Sequence, residues 1–178
     1  QLPPGRGMIT TKVFNDKERF RVYRILREEI SRGKQAYVVY PLVEESERLD
    51  LKDATQMAQH LQKDIFPEFK VGLIHGRMKS EEKETIMADF KARRIHILVS
   101  TIVIEVGIDV PNASVMVVEH AERFGLSQLH QLRGRVGRGS ARSYCVLMVG
   151  EDEPGREARE RLLERHLLRG AGEGGARR

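Results

Sequence analysis

The sequence is poor in residues that mark several protein classes. Cys145 is the one cysteine among 178 residues, so no disulfide can form within the chain. Tryptophan is absent, and aromatic residues make up 6% of the chain. No apolar run approaches the roughly 20 residues of a transmembrane helix, and residues 1–6 lack the apolar stretch of a signal peptide. We therefore expect no membrane association and a reducing, cytoplasmic setting, with Cys145 as a small buried apolar residue.

Charge of one sign is only slightly in excess. The 31 lysine and arginine residues exceed the 26 aspartate and glutamate residues, which gives a net charge of +5. Apolar residues make up 40% of the chain, which is enough for the core of one domain. A surplus this small is compatible with a polyanionic partner but does not require one.

Strand-like and helix-like segments alternate along most of the chain. Short apolar runs predict strands at 9–14, 35–40, 70–75, 95–100, 114–119 and 143–149. Helical patterns occupy several of the intervals, at 16–32, 50–65, from Ser80 onward, and 127–132. Connections of a dozen or more residues between apolar strands predict an α/β fold with a mainly parallel sheet and helices on both faces. Residues 1–8 read as a linker or strap, 9–150 as the domain, and 151–178 as a charged helix with a flexible tail.

Local signals set the expected helix faces and ends. The first helix should follow a cap at Asn15 or Asp16 and end at Gly33, with an apolar face formed by Phe20, Tyr23, Leu26 and Ile30. Ser80 is predicted to cap its own helix, with Glu81 and Glu82 in the first turn, where the helix dipole favours carboxylates.

The most informative stretch runs from Gln131 to Gly139 and reads QLRGRVGRG. Its three guanidinium groups suit phosphate oxygens, and its glycines allow the backbone to approach a ligand closely. Richness in arginine and glycine alone would more readily fit a solvated basic loop. The spacing Gln-x-x-Gly-Arg-x-Gly-Arg is more specific.

That spacing resembles the sixth motif of superfamily 2 helicases and translocases. Residues 100–111 (STIVIEVGIDVP) resemble the fifth motif of the same superfamily, in the expected order. Together with the segments 35–46, 75–78 and 128–139, they resemble the second motor domain of the RecG family, ATP-dependent translocases of branched DNA in repair and recombination. The resemblance covers about residues 1–150 and implies a RecA-like three-layer domain.

The resemblance also implies roles at an ATP site. Arg135 and Arg138 correspond to the arginine fingers that stabilise charge on the γ-phosphate. Gly107 and Asp109 would lie beside the nucleotide, with Asp109 accepting hydrogen bonds from the ribose. Gln131 would couple the nucleotide and DNA sites.

A DNA-phosphate site follows from the same resemblance at Gly76, Arg77 and Thr101. None of these contacts would read a base, so binding should be salt-sensitive and nearly indifferent to sequence. Without the resemblance, Arg77 would read as a surface charge, Thr101 as the end of a strand, and Asp109 as a turn residue.

What the sequence lacks decides the expected mechanism. It contains neither a P-loop, Gly-x-x-x-x-Gly-Lys-Ser/Thr, nor an Asp-Glu-x-His box for Mg²⁺. ATP and Mg²⁺ should therefore be held mainly by a first RecA-like domain, and this chain alone should hydrolyse ATP negligibly. The six histidines show no metal-ligand spacing, so we expect no metal site.

Other readings remain open on the sequence. The same motifs would suit a transcription-repair coupling translocase or an RNA helicase. A stand-alone nucleic-acid-binding module is a third reading, although binding alone would not require the spacing of Arg135 and Arg138. Residues 151–178 contain no Thr-x-Arg-x-Gly loop of the kind that links RecG motors to DNA.

Overall fold

The computed structural model describes residues 8–41, 47–101, 110–136 and 142–150. Within these ranges the strands are β1 Ile9–Asn15, β2 Gln35–Val39, β3 Val71–Ile74, β4 Ile97–Ser100, β5 Ala113–Val118 and β6 Ser143–Val149. The helices are α1 Arg19–Ser31, α2 Glu47–His60, α3 Ser80–Lys91 and α4 Leu126–Arg133. Single 3₁₀ turns cover Asp16–Glu18 and Ala121–Arg123, and a π-helical turn, Leu61–Ile65, extends α2.

All described strands join one sheet in the order β1-β6-β5-β2-β4-β3, and every neighbouring pair is parallel. The predicted α/β fold with a parallel sheet is therefore confirmed. Because the strands are parallel, their carboxyl ends all lie on one side of the domain and their amino ends on the other. We call these sides the carboxyl end and the amino end of the sheet.

Helices cover both faces of the sheet, as predicted. Neighbouring residues of β2 alternate between two apolar cores, with Tyr37 in one and Val38 in the other. Helices α3 and α4 contribute Phe90, Leu129 and Leu132 to the first core, whereas α1 and α2 contribute Val22, Leu26, Ile30 and Ala54 to the second. Cys145 is buried in the first core, and burial raises the pKa of its thiol to about 12. Within the described ranges, no helix is both long and apolar enough to cross a bilayer.

The apolar face of α1 differs from its predicted composition. Phe20 is 57% exposed, whereas Val22, Leu26 and Ile30 are buried. The buried residues follow one another at intervals of four, so each lies only about 40° further around the helix than the last. Phe20 lies about 120° from Leu26 on the same helical wheel, which places it outside the core.

Helix ends agree with most local predictions. Asn15 caps the Asp16–Glu18 turn with a reciprocal capping box to Glu18, and α1 follows that turn. Gly33 adopts the left-handed conformation (φ 84°) after α1, which confirms the predicted helix end, because glycine commonly ends helices in this conformation. The predicted cap of α3 was one residue late, because Lys79 is the extended capping residue and Ser80 is already helical.

Candidate nucleotide and nucleic-acid site

The carboxyl end of the sheet positions two of the predicted phosphate-binding segments side by side. Strand β3 ends at Ile74 and leads into His75, Gly76 and Arg77, and β4 ends at Ser100 and leads into Thr101. Because β3 and β4 are paired neighbours, these segments leave the sheet next to each other. The topology therefore brings together residues that are more than 20 positions apart in the chain.

Backbone groups dominate the turn after β3. The amide of Met78 donates to the carbonyl of His75 (3.2 Å), and the amide of Arg77 donates to His75 Nδ1 (3.3 Å). Lys83 Nζ, from the first turn of α3, donates to the carbonyl of Gly76 (3.3 Å). Gly76 and Arg77 are exposed, and a Cβ added at Gly76 would meet no atom within 4 Å. Packing inside the domain therefore does not require glycine at this position.

Thr101 is less accessible than its predicted role suggests. Its residue exposure is 2%, and its backbone N–H donates to the carbonyl of Ile74 (3.2 Å). This N–H continues the β3–β4 ladder and is not available to a phosphate in this conformation. A phosphate contact at this position would use the hydroxyl.

Helix α4 carries the start of the arginine-rich motif. The amide of Gly125 donates to Gln128 Oε1 (3.0 Å) at the start of the helix, and Gly134 ends it. Gln131 is exposed, and Arg135, one residue beyond Gly134, is partly exposed. Arg135 makes no ion pair with any other described residue, so no described carboxylate neutralises its guanidinium.

Arg133, in contrast, is tied to the sheet. Its Nε donates to Thr11 Oγ1 in β1 at 3.0 Å, and Thr11 is only 6% exposed. Thr11 lies beside Cys145 in the β1–β6 register, and the charge of Arg133 acts on that thiol. The three arginines of the motif are therefore not equivalent, because Arg133 anchors the end of α4.

A buried ion pair supports the segment between β5 and α4. Arg19 of α1 donates to both carboxylate oxygens of Glu119 (2.5 and 3.0 Å), whose side chain is 4% exposed. Burial lowers the pKa of Arg19, but the hydrogen bonds to Glu119 and Asp16 together with the charge of Glu119 outweigh burial and raise that pKa. Burial also raises the pKa of the neighbouring Tyr40 hydroxyl, and the charge of Glu119 adds to that effect.

A mixed polar cluster lies beside this pair, and no pattern in the sequence predicts it. Possible ligand atoms of Asp50, Asp53 and His120 lie within 4.8 Å of one another. Arg123 Nη1 is 3.2 Å from the fully buried carboxylate of Asp50, and His120 Nε2 is 3.5 Å from Asp53 Oδ2. Because a guanidinium already neutralises Asp50, the arrangement is an ion-pair network that joins α2 to the turn after β5.

Three predicted nucleotide-site residues, Gly107, Asp109 and Arg138, lie outside the described residues. Residues 1–7 and 151–178 also lie outside them, so the predicted strap, charged helix and tail stay predictions.

A match to a protein-family model shows which family the chain belongs to. The helicase conserved C-terminal domain model matches residues 20–140, which include the described parts of both candidate phosphate-binding segments and α4. The chain belongs to this family. Its resemblance to the RecG family is also confirmed by individual relatives.

The ATP-dependent DNA helicase RecG of Synechocystis is 54% identical to this chain over 162 residues, covering 91% of the chain and 19% of the relative. RecG of Thermotoga maritima is 55% identical over 162 residues, covering 91% of the chain and 20% of the relative. The chain therefore spans about a fifth of the length of these curated relatives.

Solved structures agree with the sequence relatives. A structure of RecG bound to a three-way DNA junction matches with a TM-score of 0.72 and 48% identity, over 92% of this chain and 21% of that one. Domain 2 of the DEAD-box helicase Mss116p, bound to an RNA duplex, matches with a TM-score of 0.62 over 80% of this chain and 54% of that one. Its identity is 17%, so it supports only the fold. The predicted RecA-like architecture is confirmed.

Proposed function

We propose that this chain acts as the second motor domain of an ATP-dependent translocase of branched DNA in repair and recombination, in the cytoplasm. It would complete an ATP site whose phosphate cradle lies on a first RecA-like domain. The proposal rests on the state of Arg135, which is partly exposed, unneutralised by any described carboxylate, and held next to an anchored helix end.

Arg135 has the properties that a phosphate-binding guanidinium needs. A guanidinium already paired with a carboxylate would have to break that pair before binding a triphosphate. Arg135 makes no such pair within the described chain, and Arg133 fixes the helix from which it extends. Arg138 would act beside it, since fingers of this kind stabilise charge that develops on the transferred phosphoryl group.

The remaining nucleotide contacts follow the family motifs. Gly107 and Asp109 would contact the nucleotide, and Gln131 would connect the nucleotide and DNA sites. Mg²⁺ would accompany ATP and be held mainly by the partner domain, because the sequence contains no P-loop or Asp-Glu-x-His box. Bound ATP would then bridge the two domains and favour their closure.

DNA phosphates would bind beside the turn after β3. The exposed Gly76 leaves its backbone accessible, and Arg77 adds positive charge next to it. The hydroxyl of Thr101 lies on the neighbouring strand end. Each of these groups suits phosphate oxygens and none is placed to read a base, so affinity should depend on salt more than on sequence.

A chimera can test the catalytic role. In RecG of Thermotoga maritima, the matching 162 residues would be replaced by those of this chain. DNA-stimulated ATPase activity of the chimera should fall at least a hundredfold with Arg135→Ala, mainly in kcat. Arg24→Ala removes an exposed arginine of α1 and should leave the rate unchanged.

Three results would contradict the proposal. A loss below tenfold, about 1.4 kcal/mol of barrier, would argue against a finger role for Arg135. Robust ATP hydrolysis by the 178-residue chain alone would contradict the need for a partner domain. Stronger stimulation of the chimera by RNA than by branched DNA would favour the RNA-helicase reading.

A further inference from the structure

Positive charge is concentrated at the amino end of the sheet, opposite the proposed DNA-phosphate site at the carboxyl end. The described connections at that end (32–34, 66–70, 92–96, 110–112, 134–136 and 142) hold seven basic residues and one acidic residue. The described connections at the carboxyl end (16–18, 40–41, 75–79, 101, 119–125 and 150) hold four of each. Arg135 belongs to the arginine-rich motif and is set aside here, but the family motifs do not account for the other six basic residues.

Several of the basic side chains at the amino end are not neutralised. Arg32 pairs with Glu29 and Arg94 pairs with Asp89. The remaining basic residues of these connections make no ion pair with another described residue, and neither does Lys91 in the last turn of α3. The unpaired residues outside the arginine-rich motif are therefore Lys34, Lys70, Lys91, Arg93 and Arg142. All but Lys34, which is partly exposed, are exposed to solvent.

The sheet order arranges these residues in a row. Arg142 precedes β6, Lys34 precedes β2, and Arg93 and Lys70 precede β4 and β3. From β6 to β3 the order is β6-β5-β2-β4-β3, which is four strand spacings. At roughly 4.8 Å a spacing, the row is about 19 Å long.

Buried amide groups hold the middle of this row rigid. Gln35, which is 2% exposed, donates to the carbonyls of Phe90 (2.6 Å) and Ile95 (2.8 Å). Asn112 Nδ2 donates to Gln35 Oε1 (3.0 Å) and to the carbonyl of Gly33 (2.9 Å). These bonds connect the segment that carries Lys34 to the segment that carries Lys91 and Arg93, and they join Asn112 to both Gly33 and Gln35.

An open cavity of about 350 Å³ lies at the same place, lined by Lys91, Arg93, Val110, Pro111 and Asn112. Arg93 adopts a left-handed backbone conformation (φ 63°), which favours glycine over a long side chain. Local backbone preference therefore does not explain an arginine at this position.

We propose that this row, the basic amino end, binds the phosphate backbone of a nucleic-acid duplex at a second contact, distinct from the motif-based site. A duplex carries one charge per about 1.7 Å of axis with both strands counted, so the roughly 19 Å of duplex beside the row would carry about 11 phosphate charges around its whole circumference. Positive groups spread along a line suit such a polyanion better than a single small anion. An acidic peptide is disfavoured because the only apolar residues lining the cavity are Val110 and Pro111. The inference requires neither ATP nor a partner domain.

Equilibrium binding of a fluorescent DNA duplex to the 178-residue chain tests this inference. The triple variant Lys34→Gln/Lys91→Gln/Arg93→Gly should lower affinity at least tenfold at 50 mM salt. It should also reduce the slope of log affinity against log salt by about 2 to 3, since each lost phosphate contact contributes roughly 0.9. The melting temperature should not fall because of Arg93→Gly, since glycine tolerates that backbone conformation.

The matched control removes the same charge elsewhere. Arg24, Arg48 and Lys52 lie exposed on α1 and α2 and make no ion pair with another described residue. The triple change of these residues to glutamine should alter the slope by less than one. Arg77→Gln separately reports the motif-based site.

The inference would be overturned by any of three outcomes. Equal losses in the two triple variants would show that only net charge matters. Absence of binding by the unmodified chain at 50 mM salt would exclude a useful contact. Binding of polyglutamate as tightly as DNA, with the same sensitivity to the basic-end variant, would assign the surface to acidic proteins.

Discussion

The amide of Gln35 offers a sharp test of how the amino end of the sheet is held together. Gln35→Leu keeps a side chain of similar size but removes two donated hydrogen bonds and one accepted hydrogen bond. The two carbonyls that lose the donor of Gln35, those of Phe90 and Ile95, belong to fully or nearly fully buried residues, although the amide of Arg93 (3.0 Å) still donates to the carbonyl of Phe90. Water can therefore replace the lost partners only poorly.

The expected cost follows from the number of bonds lost. At about 1 kcal/mol for each of three bonds, the free energy of unfolding should fall by about 3 kcal/mol. For a chain of 178 residues this corresponds to a decrease in melting temperature of about 6 to 12 °C. Little of the loss should come from a cavity, because leucine and glutamine have similar volumes.

Urea unfolding followed by far-UV circular dichroism measures this difference. Gln56→Leu is the matched control, because Gln56 is exposed on α2 and makes no hydrogen bond with another described side chain. This control should change the free energy of unfolding by less than about 0.5 kcal/mol. A double-mutant cycle with Asn112→Ala should give a coupling energy of at least about 0.5 kcal/mol. A loss below about 1 kcal/mol for Gln35→Leu would refute the view that these amides fix the connections.

Two further substitutions test contacts on the first core. Thr11→Val removes the hydroxyl that accepts the hydrogen bond from Arg133 and should lower the free energy of unfolding by about 1.5 kcal/mol. Thr11→Ser keeps a hydroxyl and should retain most of that stability. Equal losses for the two variants in urea unfolding would contradict the view that this hydrogen bond anchors α4. Gly72→Ala would place a Cβ 2.9 Å from Ile95 Cδ1 and should cost about 1 to 3 kcal/mol by overpacking. Gly76→Ala, which meets no atom within 4 Å, should stay within about 0.5 kcal/mol of the unmodified chain, and equal losses in the two alanine variants would reject the packing argument.

The fold could be predicted from the sequence because its strands are short, apolar and separated by long connections. Those features leave few topologies other than a parallel sheet covered by helices. The alternation of cores in β2 and the turn at Gly33 follow from the same local physics. Phe20 was placed wrongly because its hydrophobicity suggested burial, whereas the angular position of Val22, Leu26 and Ile30 decided which face packs.

The candidate site could be predicted only in part. The motifs identified Gly76, Arg77 and Thr101 at strand ends, but they did not reveal that the N–H of Thr101 is used within the sheet. Contacts between distant residues gave no local signal, because Arg19 and Glu119 are separated by 100 positions and Gln35 and Asn112 by 77. Gln35, a polar residue at the start of the apolar run of β2, was the nearest signal in the sequence for the hydrogen bonds that it forms with Asn112 and with the carbonyls of Phe90 and Ile95.

The parallel sheet mechanically connects the basic amino end to the proposed DNA-phosphate site at the carboxyl end. Strand β4 has four residues, so its length separates Arg93 from the Thr101 end by roughly 13 Å or more. Ladder hydrogen bonds and two packed cores make the sheet a rigid unit, so it cannot stretch when the domain moves. A duplex held at the amino end would therefore be displaced by the same rigid-body movement that carries Arg135 toward or away from a triphosphate. On the proposed function, the basic amino end would contribute to translocation without touching the nucleotide, because the sheet transmits displacement rather than a local conformational change.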